Sequence, residues 1–274
     1  MLNVIFVTFY EKYRQNALKE ILSIIRKLDC DTRLVVVDNS ENLKSREFIS
    51  SPVFGNPKIE VSYVSGSNTA WEFSGWEEGL NTLTPLSSED YYIFANDTFC
   101  HHRDWDFVNR ALFVRAFKIH ITKGLKGITG DVNSKNLEFN LYGVKFDSWI
   151  STYLFGIDGE QLKLCENTIQ LAPKKIEQLI SINKNGNYLW SCKNEICNNL
   201  QCHIEAWLSP KNSGWYKSKV ENYFLKEMKT KAIINEKYLS TQVQSTGGRL
   251  NHYIPSIYLY LFRIYKKIKK TMRL

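Results

Sequence analysis

Three short apolar runs, each ending in polar residues, set the pattern of the first hundred positions. They are Asn3–Tyr10 (NVIFVTFY), Arg33–Ser40 (RLVVVDNS) and Tyr91–Phe99 (YYIFANDTF). Apolar runs of this length with polar boundaries read as buried strands. After the first run, Tyr13, Ala17, Ile21, Ile24, Ile25 and Leu28 recur at helical spacing. A further strand is predicted over Ile59–Val64, leading into Ser65-Gly66-Ser67-Asn68-Thr69, and a helix from about Trp71 to Leu83. Strands alternating with helices imply an α/β fold, with a mostly parallel sheet, right-handed crossovers and helices on both faces. Open sheets of this kind bind ligands beyond the carboxyl ends of their strands. Asp38, the Gly66–Asn68 loop and Asp97 are therefore expected along one edge. A lone carboxylate at a strand tip can equally be a turn residue, so it is their gathering that carries the expectation.

Within the Trp71–Leu83 helix, Glu72, Gly75 and Gly79 fall on one side. Small residues there let a helix approach a sheet or a ligand closely. Trp71 and Trp76 can supply core in either case.

Fifteen Phe, fifteen Tyr and seven Trp provide ample material for a core. The length suits one α/β domain with an elaborated C-terminal half, or two small domains. Residues 1–252 are expected to form the main domain, with 1–100 as its ligand-binding half and 101–252 as its acceptor and catalytic half, followed by a tail over 253–274. Met1 runs almost directly into the first strand with no charged and apolar leader, and no apolar stretch is long enough to span a bilayer. A cytoplasmic placement is expected from these features. The six cysteines are read as buried reduced thiols. Cys192, Cys197 and Cys202 are spaced five apart, which scatters them around a helix instead of facing them at one metal. At most one of His101 and His102 can face a site, because adjacent side chains diverge.

The net charge of +8 is concentrated in the tail: Arg263, Lys266, Lys267, Lys269, Lys270 and Arg273 account for six of it, and no acid follows His252. At 100° per residue Ile257, Leu261, Ile264, Tyr265, Ile268 and Met272 share one face, and the cations take the opposite one. Such a helix suits an anionic membrane surface. It also suits a terminal helix packed on its domain with a solvated basic face. The body lacks a basic stripe or recognition motif, so no nucleic-acid partner is expected.

The chain resembles GT-A-fold, nucleotide-sugar-dependent glycosyltransferases of the family-2 type, closely over roughly the first hundred residues and loosely beyond. Thr8 and Tyr10 match the element that ends the family's first strand, Asp38 with Asn39 the acid that contacts the nucleoside, and Gly66 and Asn68 the following loop. Where the family carries Asp-x-Asp, this sequence has Ala95-Asn96-Asp97-Thr98, with one acid. The resemblance implies a nucleotide-diphosphate sugar as donor, in the first place a UDP-sugar, bound by Thr8, Tyr10, Asp38, Asn39, Asn68, Glu72, Ser74, Asn96 and Asp97. It implies a divalent cation, Mn or Mg, held at Asp97.

Gly124–Asp131 resembles the family's strand and loop after the metal motif, and Trp149–Gly156 reads as an aromatic-rich strand followed by a helix near Gly159. Cys202–Ser209, ending at Gly214-Trp215, resembles the Glu-x-x-Leu-Ser helix that carries the catalytic carboxylate in related enzymes, with a shorter spacing to the glycine. Glu205 is thus the candidate base and Glu195 the fallback. The resemblance implies transfer to a saccharide or lipid-linked acceptor in bacterial surface polysaccharide synthesis, by inversion, at the inner face of the membrane. Two other classes stay open: a nucleotidyltransferase acting on sugar phosphates, and a non-catalytic nucleic-acid-binding protein.

Overall fold

The computed structural model describes residues 1–40, 58–101, 105–191, 195–208 and 223–272. The expected strands form as Leu2–Thr8 (β1), Thr32–Asp38 (β2) and Ile59–Ser65 (β3), followed by a short Thr69–Trp71 (β4) and then Tyr91–Asn96 (β5). Gly127–Leu141 (β6) and Val144–Asp158 (β7) make a long hairpin, and Arg249–His252 (β10) comes near the end. These give a seven-stranded sheet in the order β10-β6-β7-β5-β1-β2-β3. β7 runs antiparallel to both its neighbours, while the other pairings are parallel. The protein is therefore an α/β protein with a mostly parallel central sheet flanked by helices, as the sequence pattern implies.

β1 and β2 are apolar on both faces because each face meets a helical layer. Glu11–Leu28 (α1) and Phe107–Lys123 (α3) cover one side, where Leu18, Ile21, Phe113 and Phe117 pack with Val4, Phe6 and Ile93. Glu72–Asn81 (α2) and Tyr223–Ser245 (α7) cover the other, where Phe73, Trp76, Leu239 and Val243 pack with Ile5, Val7, Val35 and Phe94. The glycine side of α2 lies directly on the sheet: a Cβ at Gly79 would stand 2.5 Å from Ile5 Cγ2, and one at Gly75 2.9 Å from Val7 Cγ2. That contact fixes the start of α2 over the ends of β1 and β2.

The second half adds Gly159–Leu164 (α4), Pro173–Leu179 (α5), the small hairpin Ile180–Ile182 (β8) and Tyr188–Trp190 (β9), and Asn198–Leu208 (α6). With the outer half of the β6–β7 hairpin, the elements after α4 build a third core around Phe139, Trp149, Leu179, Leu200 and Ile204, while Leu162 of α4 joins the second. Helix α7 seals it with a polar buried face that includes Asn235, Glu236, Lys237 and Ser240. Lys237 is fully buried, its ammonium 3.8 Å from the Trp149 ring centre and 5.3 Å from that of Trp207, and bonded to Glu236 at 2.6 Å.

Ser256–Met272 forms the last helix, α8. It is docked on the body: Leu259 and Phe262 pack against the first core, Tyr265 Oη donates to Asp106 Oδ2 at 2.8 Å, and Lys269 pairs with the same carboxylate. Lys266 stands over the Phe262 ring. The basic side is thus partly turned inward, whereas Ile257, Leu261, Ile264 and Ile268 of the apolar side are exposed. No helix among the described residues is long and apolar enough to cross a membrane. The thiols are not uniformly buried: Cys100 and Cys165 are, Cys30 and Cys197 are half-buried, Cys202 is exposed, and Cys192 lies outside the described residues.

Candidate active site

The parallel register sets Thr8 beside Asp38, and Val7 beside Asn96, at the carboxyl edge of the sheet. Backbone bonds continue this alignment one residue further: Asn39 N donates to the Thr8 carbonyl and Asp97 N to that of Val7, both at 2.9 Å. A cleft of about 380 Å³, counting the open solvent at its mouth, lies above this edge. Tyr10, Asn39, Asn68, Glu72, Asn96 and Asp97, all expected from the sequence, line it together with Phe9, Trp71 and Thr98.

Asp97 is buried, and its Oδ2 receives three donors: Phe9 N at 2.7 Å, Tyr10 N at 2.6 Å and Thr8 Oγ1 at 3.4 Å. None of these bonds uses Oδ1. Burial pushes the carboxyl up to about 6 despite those donors. A negative charge at this point is therefore only partly compensated by protein groups, a state that favours an incoming positive ligand. Asn96 turns its Oδ1 to Thr98 N and Oγ1, at 3.1 and 2.8 Å, closing the turn that presents Asp97.

Glu72 occupies the first turn of α2, a position favoured by the helix dipole. Burial raises its carboxyl to about 7, against the opposing pull of the Lys229 ammonium. Lys229, from α7, stands 4.1 Å over the ring centre of Trp71. Trp71 itself has φ 59° and ψ −138°, a backbone state that side chains other than glycine rarely adopt. Three bonds hold it or its turn. Asn39 Nδ2 and Ser74 Oγ both donate to the Trp71 carbonyl, at 2.9 and 3.0 Å, and Ala70 N donates to Ser74 Oγ at 3.1 Å. Ser74 is thus a turn-closing residue that does not line the cavity. The Oδ1 of Asn39 is buried, with no hydrogen-bond partner among the described residues.

Asp38 sits at the expected edge but turns inward. It is fully buried, and accepts from Ser40 N at 2.9 Å, Ser40 Oγ at 2.5 Å and Tyr63 Oη at 3.3 Å, with Arg14 Nη2 at 3.8 Å. Its carboxylate does not line the cavity. Arg14 also donates to Thr8 Oγ1 at 3.0 Å, so one buried guanidinium braces two strand ends. Sequence reasoning passed over Arg14, although an arginine on the apolar side of α1 was a visible signal.

The candidate base Glu205 stands apart. It lies on α6, accepts from Trp190 Nε1 at 2.7 Å, and lines no part of this cavity. Nor does Glu195, whose carbonyl accepts from Tyr142 N at 2.6 Å. Ser209, Gly214 and Trp215 of that motif lie outside the described residues. A nearer carboxylate is Glu236, whose Oε2 accepts from Thr152 N and Oγ1 at 3.0 and 3.2 Å. The pairing of Ala95 with Leu154 sets Thr152 alongside the Asp97 end of β5. His101 stacks on Tyr13 at 4.2 Å between ring centres, and His102 is outside the described residues.

Among the described residues no three His, Cys, Asp or Glu side chains come together as a cation cage. Asp97, with one carboxylate oxygen outside those bonds, instead fits a cation that substrate phosphates would share, since Mg²⁺ is commonly held by one or two carboxylates plus substrate.

No protein-family model matches the chain, and no curated protein matches it in sequence. Among solved structures it overlaps a mannosyltransferase from Pyrobaculum calidifontis, determined with GDP-mannose and Mn²⁺. The overlap has 13% identity and a TM-score of 0.39, over 59% of this chain and 45% of the mannosyltransferase. The chain thus matches less than half of that protein's length.

Proposed function

We propose that this protein is a glycosyltransferase that moves a sugar from a nucleotide-diphosphate sugar, in the first place a UDP-sugar, to a saccharide or lipid-linked saccharide. The observation that carries this reading is the cavity at the carboxyl edge, where the Asp97 carboxylate, the amides of Asn39, Asn68 and Asn96, and the rings of Tyr10 and Trp71 converge. Carboxamides suit ribose and base edges. Flat rings suit the C–H faces of a sugar or a nucleobase. A divalent cation bound between Asp97 and the diphosphate would neutralise charge on the leaving group.

The acceptor hydroxyl attacks the anomeric carbon, the bond to the diphosphate breaks, and a carboxylate takes the hydroxyl proton. Glu72 is our choice for that carboxylate, since it lines the cavity, whereas Glu205 and Glu195 do not. One base and one displacement give inversion. A role in bacterial surface polysaccharide synthesis at the inner membrane face belongs to the same reading.

The test is calorimetry and donor hydrolysis with a panel of nucleotide sugars, with and without Mn²⁺. Binding of at least one sugar nucleotide that is lost in Asp97→Ala is expected. A chain that binds none, or that instead couples nucleoside triphosphates to sugar phosphates, is not this enzyme.

A further inference from the structure

The exposed side of α8 is apolar along its described length. Ile257 is 77% exposed, Tyr260 72%, Leu261 59% and Ile268 53%. Surface helices normally bury such a stripe, yet here Leu259 and Phe262, on the other side, hold the body. The helix bears no acid. Arg263 and Lys267 are exposed, with no acidic partner among the described residues.

Beneath α8 is a second cleft, of about 750 Å³ with its mouth, between the helix, the end of β10 and the start of α3. Its walls are apolar at Trp105, Leu259 and Phe262 and cationic at Arg263 and Lys266. The acid on its wall, Asp131, is engaged: Tyr153 Oη donates to it at 3.2 Å, and His252 Nε2 lies 3.7 Å away. Ile254 N donates to His252 Nδ1 at 2.9 Å, which leaves the ring proton on Nε2, facing Asp131.

We infer that α8 is a rigidly mounted, in-plane membrane helix: its apolar side enters the interfacial layer, and the cleft beneath it, with Arg263 and Lys266 on the helix wall, receives the phosphate headgroup of an anionic lipid. Charge selects this occupant. Two copies of α8 joined through their apolar sides would leave Arg263 and Lys267 without an acid on the partner helix, whereas an anionic bilayer offers both the apolar layer and the phosphates.

The mounting also sets orientation. Asp106 precedes α3, the helix that follows β5, so the Lys269–Asp106 contact lies at the same carboxyl edge as Asp97. A docked molecule would hold its sugar-transfer cavity beside the bilayer, within reach of an acceptor carried on a lipid. That last step rests on the glycosyltransferase reading; the docking does not.

The experiment is co-sedimentation of the full chain with vesicles of phosphatidylcholine alone or with added phosphatidylglycerol, at low and high salt. Donor binding is followed separately by calorimetry without vesicles. Wild type is expected to bind the acidic vesicles and to be released by salt. Leu261→Gln with Ile264→Gln, both at exposed positions, should weaken binding at least tenfold and leave donor affinity and melting unchanged. Lys267→Gln should weaken it about fivefold, the effect of one surface cation. Arg263→Gln should do distinctly more, because Arg263 alone of the two lines the cleft. Equal effects of these two charge variants would overturn the headgroup cleft. Absence of binding, or equal binding to neutral vesicles, would overturn the docking. Self-association in solution that Leu261→Gln abolishes would assign the apolar side to a second copy of this chain instead. Failure of donor binding with intact vesicle binding would strike the glycosyltransferase reading and leave the docking standing.

Discussion

Asn39 Nδ2 donates to the Trp71 carbonyl oxygen at 2.9 Å, tying the end of β2 to the residue that opens α2. The bond helps hold Trp71 in its unusual backbone state, and with it the ring that walls the cavity. Asn39→Ala removes this neutral hydrogen bond and a long one from Nδ2 to Asn68 Oδ1 at 3.5 Å, so about 1 kcal/mol of stability should go. Affinity for a sugar nucleotide should fall further, by about tenfold, because the wall loosens as well. Urea denaturation and calorimetry on the same preparation give both numbers, and an unchanged affinity would detach this wall from the donor site.

Asp97→Asn should abolish transfer yet make the protein more stable above pH 6. The folded carboxyl is raised from 3.8 to about 6, chiefly by burial. A raised folded value means that stability is complete below about pH 4 and falls as pH climbs through 6, by on the order of 2–3 kcal/mol. An asparagine oxygen still accepts from Phe9 N and Tyr10 N without carrying that charge. Melting curves at pH 4 and 7.5 should therefore coincide for the two proteins at the lower pH and separate at the higher. A destabilised variant at pH 7.5 would show that the charge is already well compensated.

Glu72 accepts a proton only when ionised, and burial sets that transition near 7. Turnover should rise as pH passes through about 7 and level off above it. Glu72→Gln should lower it by about 10²–10⁴-fold and remove that limb. Glu205→Gln, which keeps an oxygen for Trp190 Nε1, should leave turnover near wild type. The reverse ranking in a steady-state assay would return the base to Glu205.

His203 sits among the rings of Phe139, Trp149 and Trp207, and its imidazole is lowered to about 4, by burial first and by the Lys237 ammonium second. A lowered folded value means stability is present above 6.5 and lost as pH falls toward 4. Chemical denaturation across that window should show the loss in wild type. His203→Phe, with no proton to gain, should flatten it; an identical slope in both would place the acid sensitivity elsewhere.

The apolar strands β1, β2 and β5 are legible because both their faces meet helices, so little polar interruption blurs the run, whereas β3, at the sheet edge, shows through its alternation of apolar and exposed polar residues. The β6–β7 hairpin was read only in part, since its stretch from Asn133 to Glu138 is largely exposed and polar. Helix α7 gave no signal, because Thr230, Asn235, Glu236, Lys237, Ser240 and Thr241 occupy its buried side and are satisfied by one another, by the helix's own carbonyls, or by backbone N–H groups of β7 and Leu171. At the site, spacing could place Asp38 and Asp97 on one edge. It could not say that Ser40 and Tyr63 would draw the Asp38 carboxylate inward while Asp97 keeps one oxygen toward the cavity. The Glu205 reading rests on a local motif, and its indole partner comes from β9, in a hairpin too short to be read.

The pairing of β10 with β6 joins Arg249–His252 to Gly127–Gly130, far apart in the chain. Closing so long a loop is slow, although its added entropy grows only logarithmically with length. The strands β1, β2, β3 and β5, by contrast, lie within the first hundred residues and can assemble from nearby segments. Folding should then run as a kinetic sequence in which the donor edge forms early, β10 zips late, and α8 is seated only once Tyr253 has locked against Phe113. An unfinished chain would carry a formed sheet but no seated helix, so attachment to a surface would report that folding is complete.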